Sequence, residues 1–340
     1  MRAWQIPAGC TEPDQIGMIA ADKPVPGAGE VLIRVRACSL NFRDQLIPRG
    51  RYFGGPVARA GTPLSDGVGT IEALGTGVDG LAVGDRVAGT FFQDWLDGRP
   101  TPATGDALGA PPAKGMLADY VVLPARGVVP LATSLSFEEA ATLPCAGVTA
   151  WNALFCGLRP LNPGDSVLLI GSGGVSLLAL RLAKAAGARV IATSSNDAKL
   201  DRLRALGADE VINYRTEANW GAKAAELAGG GVDHVVEVGG PGTLAQSMQA
   251  VGFGGEIALI GVLSLDGDTN PMPLMVKGAS VRGIFVGSAQ MARDLNAFID
   301  RHRVKPVIDR QFDFSDAHAA YAWQASPELF GKVVIANPGA

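Results

Sequence analysis

At 340 residues the chain exceeds what one hydrophobic core usually covers, and 47% hydrophobic against 18% charged residues can fill two cores while leaving a thinly charged surface, part of it expected in a subunit interface. A formal net charge of −4 without basic clusters argues against nucleic acid or an anionic membrane as partner. No N-terminal segment reads as a signal peptide, no long apolar run lacks a proline or charge, and Cys10, Cys38, Cys145 and Cys156 are scattered, so a reduced cytoplasmic enzyme subunit is expected.

Residues 1–125 are rich in glycine and proline and carry short alternating runs at 31–37, 67–73 and 118–123, which predicts a mainly β domain. The Pro/Gly/Ala-rich stretch 93–115 reads as a long loop, a length usually reserved for lids or interaction surfaces. At Ser136 the pattern turns helical, with Glu139 three residues on in a capping-box arrangement. Strands are then expected at 166–170, 189–193, 210–213, 234–238, 256–260 and 281–286 with helices between most of them, so 126–289 reads as an α/β domain with a doubly wound parallel sheet. A helix from Ala289 to about 303, another from Ser315 and a closing strand at 332–335 are expected to return 290–340 to the first domain.

The most informative segment is 166–176, Ser-Val-Leu-Leu-Ile-Gly-Ser-Gly-Gly-Val-Ser, a strand entering a glycine turn before a helical stretch that ends at Gly187. Such a turn needs Gly171 to fold back tightly and Gly173 so that backbone can approach a pyrophosphate lying over the helix N-terminus. The usual third glycine is Ser176, small enough to keep helix and strand close. Its place between strand and helix, with a second strand following, makes this a dinucleotide-binding fingerprint.

With these elements in place the chain resembles the medium-chain dehydrogenase/reductase superfamily over essentially its whole length. Besides the glycine turn, the resemblance is carried by Gly84-Asp-Arg-Val87, Ala140-Ala-Thr-Leu-Pro-Cys-Ala-Gly-Val-Thr-Ala150, Ala205-Leu-Gly-Ala-Asp209 and Gly331-Lys-Val-Val334. It implies a GroES-like catalytic domain interrupted by a Rossmann domain, with hydride transfer in the cleft between them, where ligands of open parallel sheets commonly bind.

A catalytic zinc in this superfamily needs three protein ligands, typically Cys/His/Cys, and the matching positions here are Asn41, Ser65 and Cys145. The cysteines of a structural zinc lobe are missing between 88 and 115, and His234, His302 and His318 are far in sequence from any cysteine pair, so no zinc is expected. Asparagine and serine at the first two positions resemble the quinone-oxidoreductase-like branch, whose electrophile is commonly a quinone or a conjugated carbonyl. Without a Lewis acid the developing oxyanion depends on hydrogen-bond donors, and conjugation spreads its charge. Asn41 and Tyr52 are the candidate donors, against structural readings in which Asn41 satisfies turn backbone and Tyr52 is a pocket wall. Cys145 reads as a small buried hydrophobe rather than a reactive thiol, and Cys38 as core. Arg43 stands where zinc alcohol dehydrogenases place a proton-relaying hydroxyl, which counts against simple alcohol oxidation and leaves it to pair with Asp44 or Asp66 or to approach cofactor phosphates.

The end of the second Rossmann strand selects the nicotinamide cofactor, since a carboxylate there accepts from the ribose 2′-hydroxyl and repels a 2′-phosphate. Ser194 stands where that acid would be, followed by Ser195; Lys199 supplies a charge, and Tyr214 matches a position that helps hold the 2′-phosphate in NADP-dependent relatives. NADP(H) is therefore expected over NAD(H), although a lysine at 199 also suits an unphosphorylated ribose. The resemblance further implies cofactor contacts at Thr149, at Gly171, Gly173, Gly174 and Val175, at Gly239, Gly261 and Val262, and at Lys332 for the pyrophosphate. The expected function is zinc-independent, NADPH-dependent hydride transfer to a small-molecule quinone or α,β-unsaturated carbonyl. The alternatives are a zinc-independent alcohol dehydrogenase or ketone reductase and a non-catalytic NADPH-binding protein. An apolar edge strand at 281–286 is expected to pair with its two-fold mate in a homodimer.

Overall fold

The computed structural model describes residues 1–53, 55–261, 267 and 269–339 and divides into two compact units, Met1–Val148 with Gly287–Ala340, and Thr149–Val286. The first unit is built on the ten-residue strand Glu30–Ser39, which pairs antiparallel with Asp66–Leu74, Tyr120–Pro124 and Lys332–Ala336. Val31, Ile33, Val35 and Ala37 alternate inward along it and are fully buried, the period-two pattern of a strand packed on a core. That core also takes in Ile71, Val87, Met116, Leu117, Val333 and Ile335. The pairing register sets Ser39 beside Asp66 on one side and Val334 on the other. Three chain segments distant in sequence thus deliver their side chains to the point where the strand runs on into Leu40 and Asn41.

The helical pattern beginning after 126 does not mark the passage between units. Helix Phe137–Ala141 is capped by Ser136, whose hydroxyl accepts from Glu139 N–H, as its capping box predicts, but it packs on strands Glu30–Ser39 and Asp66–Leu74 and belongs to the first unit. The stretch 93–115 is not structureless throughout: it contains the 3₁₀ turn Pro102–Thr104 and a bridge between Phe92 and Ala107. Helix Ala289–His302, helix Ala317–Gln324 and strand Lys332–Ala336 lie in the first unit.

Among the described residues the second unit holds six parallel strands, Ser166–Leu169, Arg189–Ser194, Glu210–Asn213, Val232–Glu237, Val251–Leu259 and Ser280–Gly283. Taken in chain order they lie in the sheet as third, second, first, fourth, fifth, sixth, the order of a dinucleotide-binding sheet. Burial on both faces explains why its inner strands read as unbroken apolar runs, Val167-Leu-Leu169 and Val190-Ile-Ala192. The last strand ends at Gly283, earlier than 286. Ile284 N–H still reaches Leu259 C=O at 2.8 Å, after which Phe285 is half exposed and Val286 adopts a left-handed φ of 57° that carries the chain out of the sheet.

Candidate active site

In the first unit, Asn41 is the N-cap of the short helix Phe42–Leu46, with extended backbone. Asparagine suits this position, and Asp44 three residues on completes the box by accepting the Asn41 N–H at 2.7 Å. The Asn41 carboxamide turns toward Lys332, whose Nζ donates to Asn41 Oδ1 at 2.6 Å, to Leu40 C=O at 2.6 Å and, more distantly, to Asp66 Oδ2 at 3.5 Å. Asp66 is fully buried and held by Ser65 Oγ at 2.9 Å and Ser39 Oγ at 3.2 Å. The other end of the carboxamide, Asn41 Nδ2, is shielded from solvent and has no hydrogen-bond partner among the described residues. An unmatched buried donor costs about 1–3 kcal/mol, so it marks a place where an acceptor is expected to arrive.

Beside this cluster the Arg43 guanidinium lies between two rings, 4.7 Å from the centroid of Tyr52 and 4.7 Å from that of Phe91, and donates to Leu108 C=O at 2.7 Å. It makes no ion pair with Asp44 or Asp66 among the described residues; stacking and one carbonyl hold it instead. Burial raises the Tyr52 hydroxyl above its ordinary range against the opposing Arg43 charge, so Tyr52 is a donor at neutral pH. Burial likewise pushes Asp44 up to about 6, with Arg43 the main opposing influence, and Asp44 Oδ1 has no partner among the described residues.

Cys145 lies in a π-helical turn, Leu143–Gly147, a local geometry frequent at functional sites. Desolvation, reinforced by Asp66, pushes its thiol up, so it is no thiolate nucleophile at neutral pH. The residues at the zinc-ligand positions do not fit that ion. Asn41 Oδ1 is engaged by a lysine ammonium, Ser65 Oγ donates to Asp66, and the Lys332 charge would itself repel a cation. No group of three His, Cys, Asp or Glu able to hold a metal occurs among the described residues. The histidines are elsewhere: His234 near Asp165, His302 stacked on Phe298, and His318 against Ile16 C=O.

In the second unit, Gly171 has a φ of +73°, and neither it nor Gly173 has a neighbour within 4 Å of where a Cβ would point. Backbone is therefore open at the N-terminus of the twelve-residue helix Gly174–Ala185, the combination of free N–H groups and dipole that receives a phosphate. Val175 follows in its first turn, and Ser176 Oγ donates back to Ile170 C=O at 2.7 Å, so the serine ties helix to strand where a third glycine would only allow their approach.

Ser194 ends the second strand, buried, and its C=O accepts Tyr214 N–H at 3.1 Å, which draws Tyr214, 40% exposed, to the same sheet end. Ser195 follows partly exposed, and Lys199 sits in the first turn of helix Asp197–Ala205. The carboxylate in this stretch, Asp197, is engaged by Asn213 Nδ2 at 2.7 Å. At the fourth strand the buried Glu237 accepts from Gly239 N–H, Gly240 N–H, Thr243 Oγ1 and Ser247 Oγ, fixing the turn that carries Gly239. A side chain at Gly261 would lie 2.3 Å from Val238 backbone, so that turn closes only on glycine. Val262 lies outside the described residues. Thr149 is buried in helix Val148–Phe155.

Lys332, assigned from the sequence to a pyrophosphate, is placed otherwise. It is 3% exposed with all three ammonium donors turned to Leu40, Asn41 and Asp66, leaving none for a phosphate. Sequence reasoning named Asp44 and Asp66 only as candidate partners for Arg43, missing their places in this cluster, and passed over Glu237. The Asn-x-x-Asp spacing at 41–44 was available as a capping signal for the first, whereas the other two depend on strand register and on a turn that only the fold closes.

Two family models match the chain: the alcohol dehydrogenase GroES-like domain over residues 27–133 and the zinc-binding dehydrogenase over 174–301. A zinc-type alcohol dehydrogenase-like protein of Schizosaccharomyces pombe is 44% identical over 315 residues, covering 90% of both chains. The quinone oxidoreductase of Rattus norvegicus is 31% identical, covering 88% of this chain and 86% of its own. A crystal structure from Sinorhizobium meliloti 1021, provisionally named an alcohol dehydrogenase, superposes with a TM-score of 0.88 at 40% identity and covers 99% of each chain.

Proposed function

The chain belongs to the medium-chain dehydrogenase/reductase superfamily of NAD(P)-dependent oxidoreductases, and from that premise we propose that it reduces quinones or α,β-unsaturated carbonyls with NADPH and without zinc. The observation that carries this reading is the Asn41 carboxamide, with its oxygen on Lys332 and its NH₂ group buried and unmatched. When bound, NADPH supplies the hydride. Asn41 Nδ2 then donates to the substrate oxygen on which the electron pair collects, Tyr52 offers a second donor, and a solvent proton completes the reduction. Such preorganised donors are worth about 3 kcal/mol each at a developing oxyanion. A conjugated acceptor suits a site of this kind, because delocalisation lowers the stabilisation required where no metal is held.

NADPH is the proposed cofactor because Ser194 leaves room for a 2′-phosphate, Asp197 is engaged by Asn213, and Lys199 and Tyr214 flank the same strand end. Thr149, the turn at Gly171–Val175, Gly239 and Gly261 complete the proposed contacts. The proposed assembly is a two-fold dimer through the edge strand Ser280–Gly283, where Val281 and Phe285 are exposed beside helix Met272–Lys277 with its exposed Met272, Met275 and Val276. Among the described residues no helix is long and apolar enough to cross a membrane.

NADPH oxidation measured with quinones, enones and the matching saturated ketones tests the reading. Turnover of the conjugated acceptors with little of the saturated ones is expected. Equal or better use of saturated ketones would favour the ketone-reductase alternative, which the alcohol dehydrogenase names of two relatives support, and no turnover would favour a binding protein.

A further inference from the structure

Lys332 is the first residue of the last strand, and its surroundings leave it one arrangement. Leu40 N–H donates to Val333 C=O at 3.1 Å, locking the backbone just before Asn41 to that strand. The Lys332 ammonium spans Leu40 C=O, Asn41 Oδ1 and Asp66 Oδ2, and Asp66 is braced by Ser65, while the single proton of the Ser39 hydroxyl is shared between Asp66 Oδ2 at 3.2 Å and Ala141 C=O at 2.9 Å. An ammonium can only donate, so the carboxamide end facing it has to be the oxygen. Flipping Asn41 would bring NH₂ against NH₃⁺ and strip a buried cation of an acceptor.

We propose that Lys332 is a positioning residue that fixes the Asn41 carboxamide with its oxygen inward and its NH₂ toward the substrate oxygen, so that an internal ammonium orders the donor of a site that holds no metal. The inference rests on the donor role of Asn41 set out above. The ammonium also draws electron density from the carboxamide oxygen, which strengthens the N–H groups as donors in a low-dielectric setting. No phosphate contact is needed from Lys332, which separates this role from cofactor binding.

The test compares Asn41→Ala, Asn41→Asp, Lys332→Met, Lys332→Arg and the Asn41→Ala/Lys332→Met double variant by kcat and KM with a conjugated acceptor, by NADPH affinity and by thermal midpoint. Lys332→Met is expected to lower kcat on the order of tenfold or more with NADPH affinity unchanged, Lys332→Arg to recover part of the loss, and the double variant to be no slower than Asn41→Ala alone, the non-additivity of residues acting as one unit. Asn41→Asp keeps an acceptor for Lys332 but removes the donor, so it should lose turnover with its thermal midpoint retained. If Lys332→Met does not fold, Lys332→Met/Asp66→Asn removes the unmatched buried carboxylate and allows the same comparison. Unchanged turnover in Asn41→Ala would defeat the donor role itself. Impaired Asn41→Ala beside unimpaired Lys332→Met, fully additive losses, or weakened NADPH binding in Lys332→Met would overturn the positioning role alone.

Discussion

Replacing Asp44 by asparagine offers a quantitative probe of how this site is built. Burial lifts the Asp44 carboxyl from an ordinary value near 3.8 to about 6, a difference worth ~3 kcal/mol at 1.36 kcal/mol per unit. Because the folded protein holds this proton more tightly than the unfolded chain, the Asp44 contribution to stability is full below pH 3.8, declines as pH rises toward 6, and stays low above it. Asp119, Asp165, Asp209 and Asp300 have lowered values and act in the opposite sense, so the profile of the unmodified protein alone does not isolate Asp44. Asp44→Asn does. It keeps an oxygen for the Asn41 N–H and places an amide where Oδ1 already lacks a partner, a cost independent of pH. Urea unfolding followed by tryptophan fluorescence should show the stability of Asp44→Asn relative to the unmodified protein rising by ~2 kcal/mol between pH 4 and pH 8, because at pH 4 the carboxyl of the unfolded chain is already partly ionised. A difference that stays flat over this range, or falls, would refute the argument that Asp44 is buried at electrostatic cost beside Asn41.

Lys199→Ala should weaken NADPH binding about tenfold or more while leaving NADH affinity nearly unchanged, because a charge-assisted contact to phosphate is worth ~1.5–3 kcal/mol; titration by nucleotide fluorescence checks it, and equal losses for both cofactors would contradict the assignment. Phe285→Glu puts a charge just past the end of the edge strand Ser280–Gly283, where the side chain is half exposed, and should convert a dimer to monomer by sedimentation. Cys145→Ser should leave turnover nearly intact, since the thiol is held protonated, and an inactive variant would call for a cysteine-centred mechanism. Tyr52→Phe should reduce kcat less than Asn41→Ala, whose expected loss is on the order of a hundredfold.

The parallel sheet was legible because two of its inner strands carry unbroken apolar runs at 167–169 and 190–192 and its glycine turn sits between strand and helix, features of local sequence that survive folding unchanged. The unit boundary was not, because helix Phe137–Ala141 has helical periodicity wherever it packs, and only its contacts with Glu30–Ser39 and Asp66–Leu74 assign it to the first unit. The candidate donor Asn41 was legible by position. The Lys332 contact that orients it was not, since a lysine 291 residues away meets Asn41 only through the register of two strands. The strand expected at 281–286 ended early for a local reason, the left-handed turn at Val286, which no periodicity announces.

Steady-state NADPH oxidation by an enone, with bound zinc quantified in the same preparation before and after chelation, tests the central claim most directly. Metal-free turnover of the conjugated acceptor is expected, unchanged by chelator and lost with Asn41→Ala. Activity that disappears on chelation and returns with one zinc per chain would contradict it.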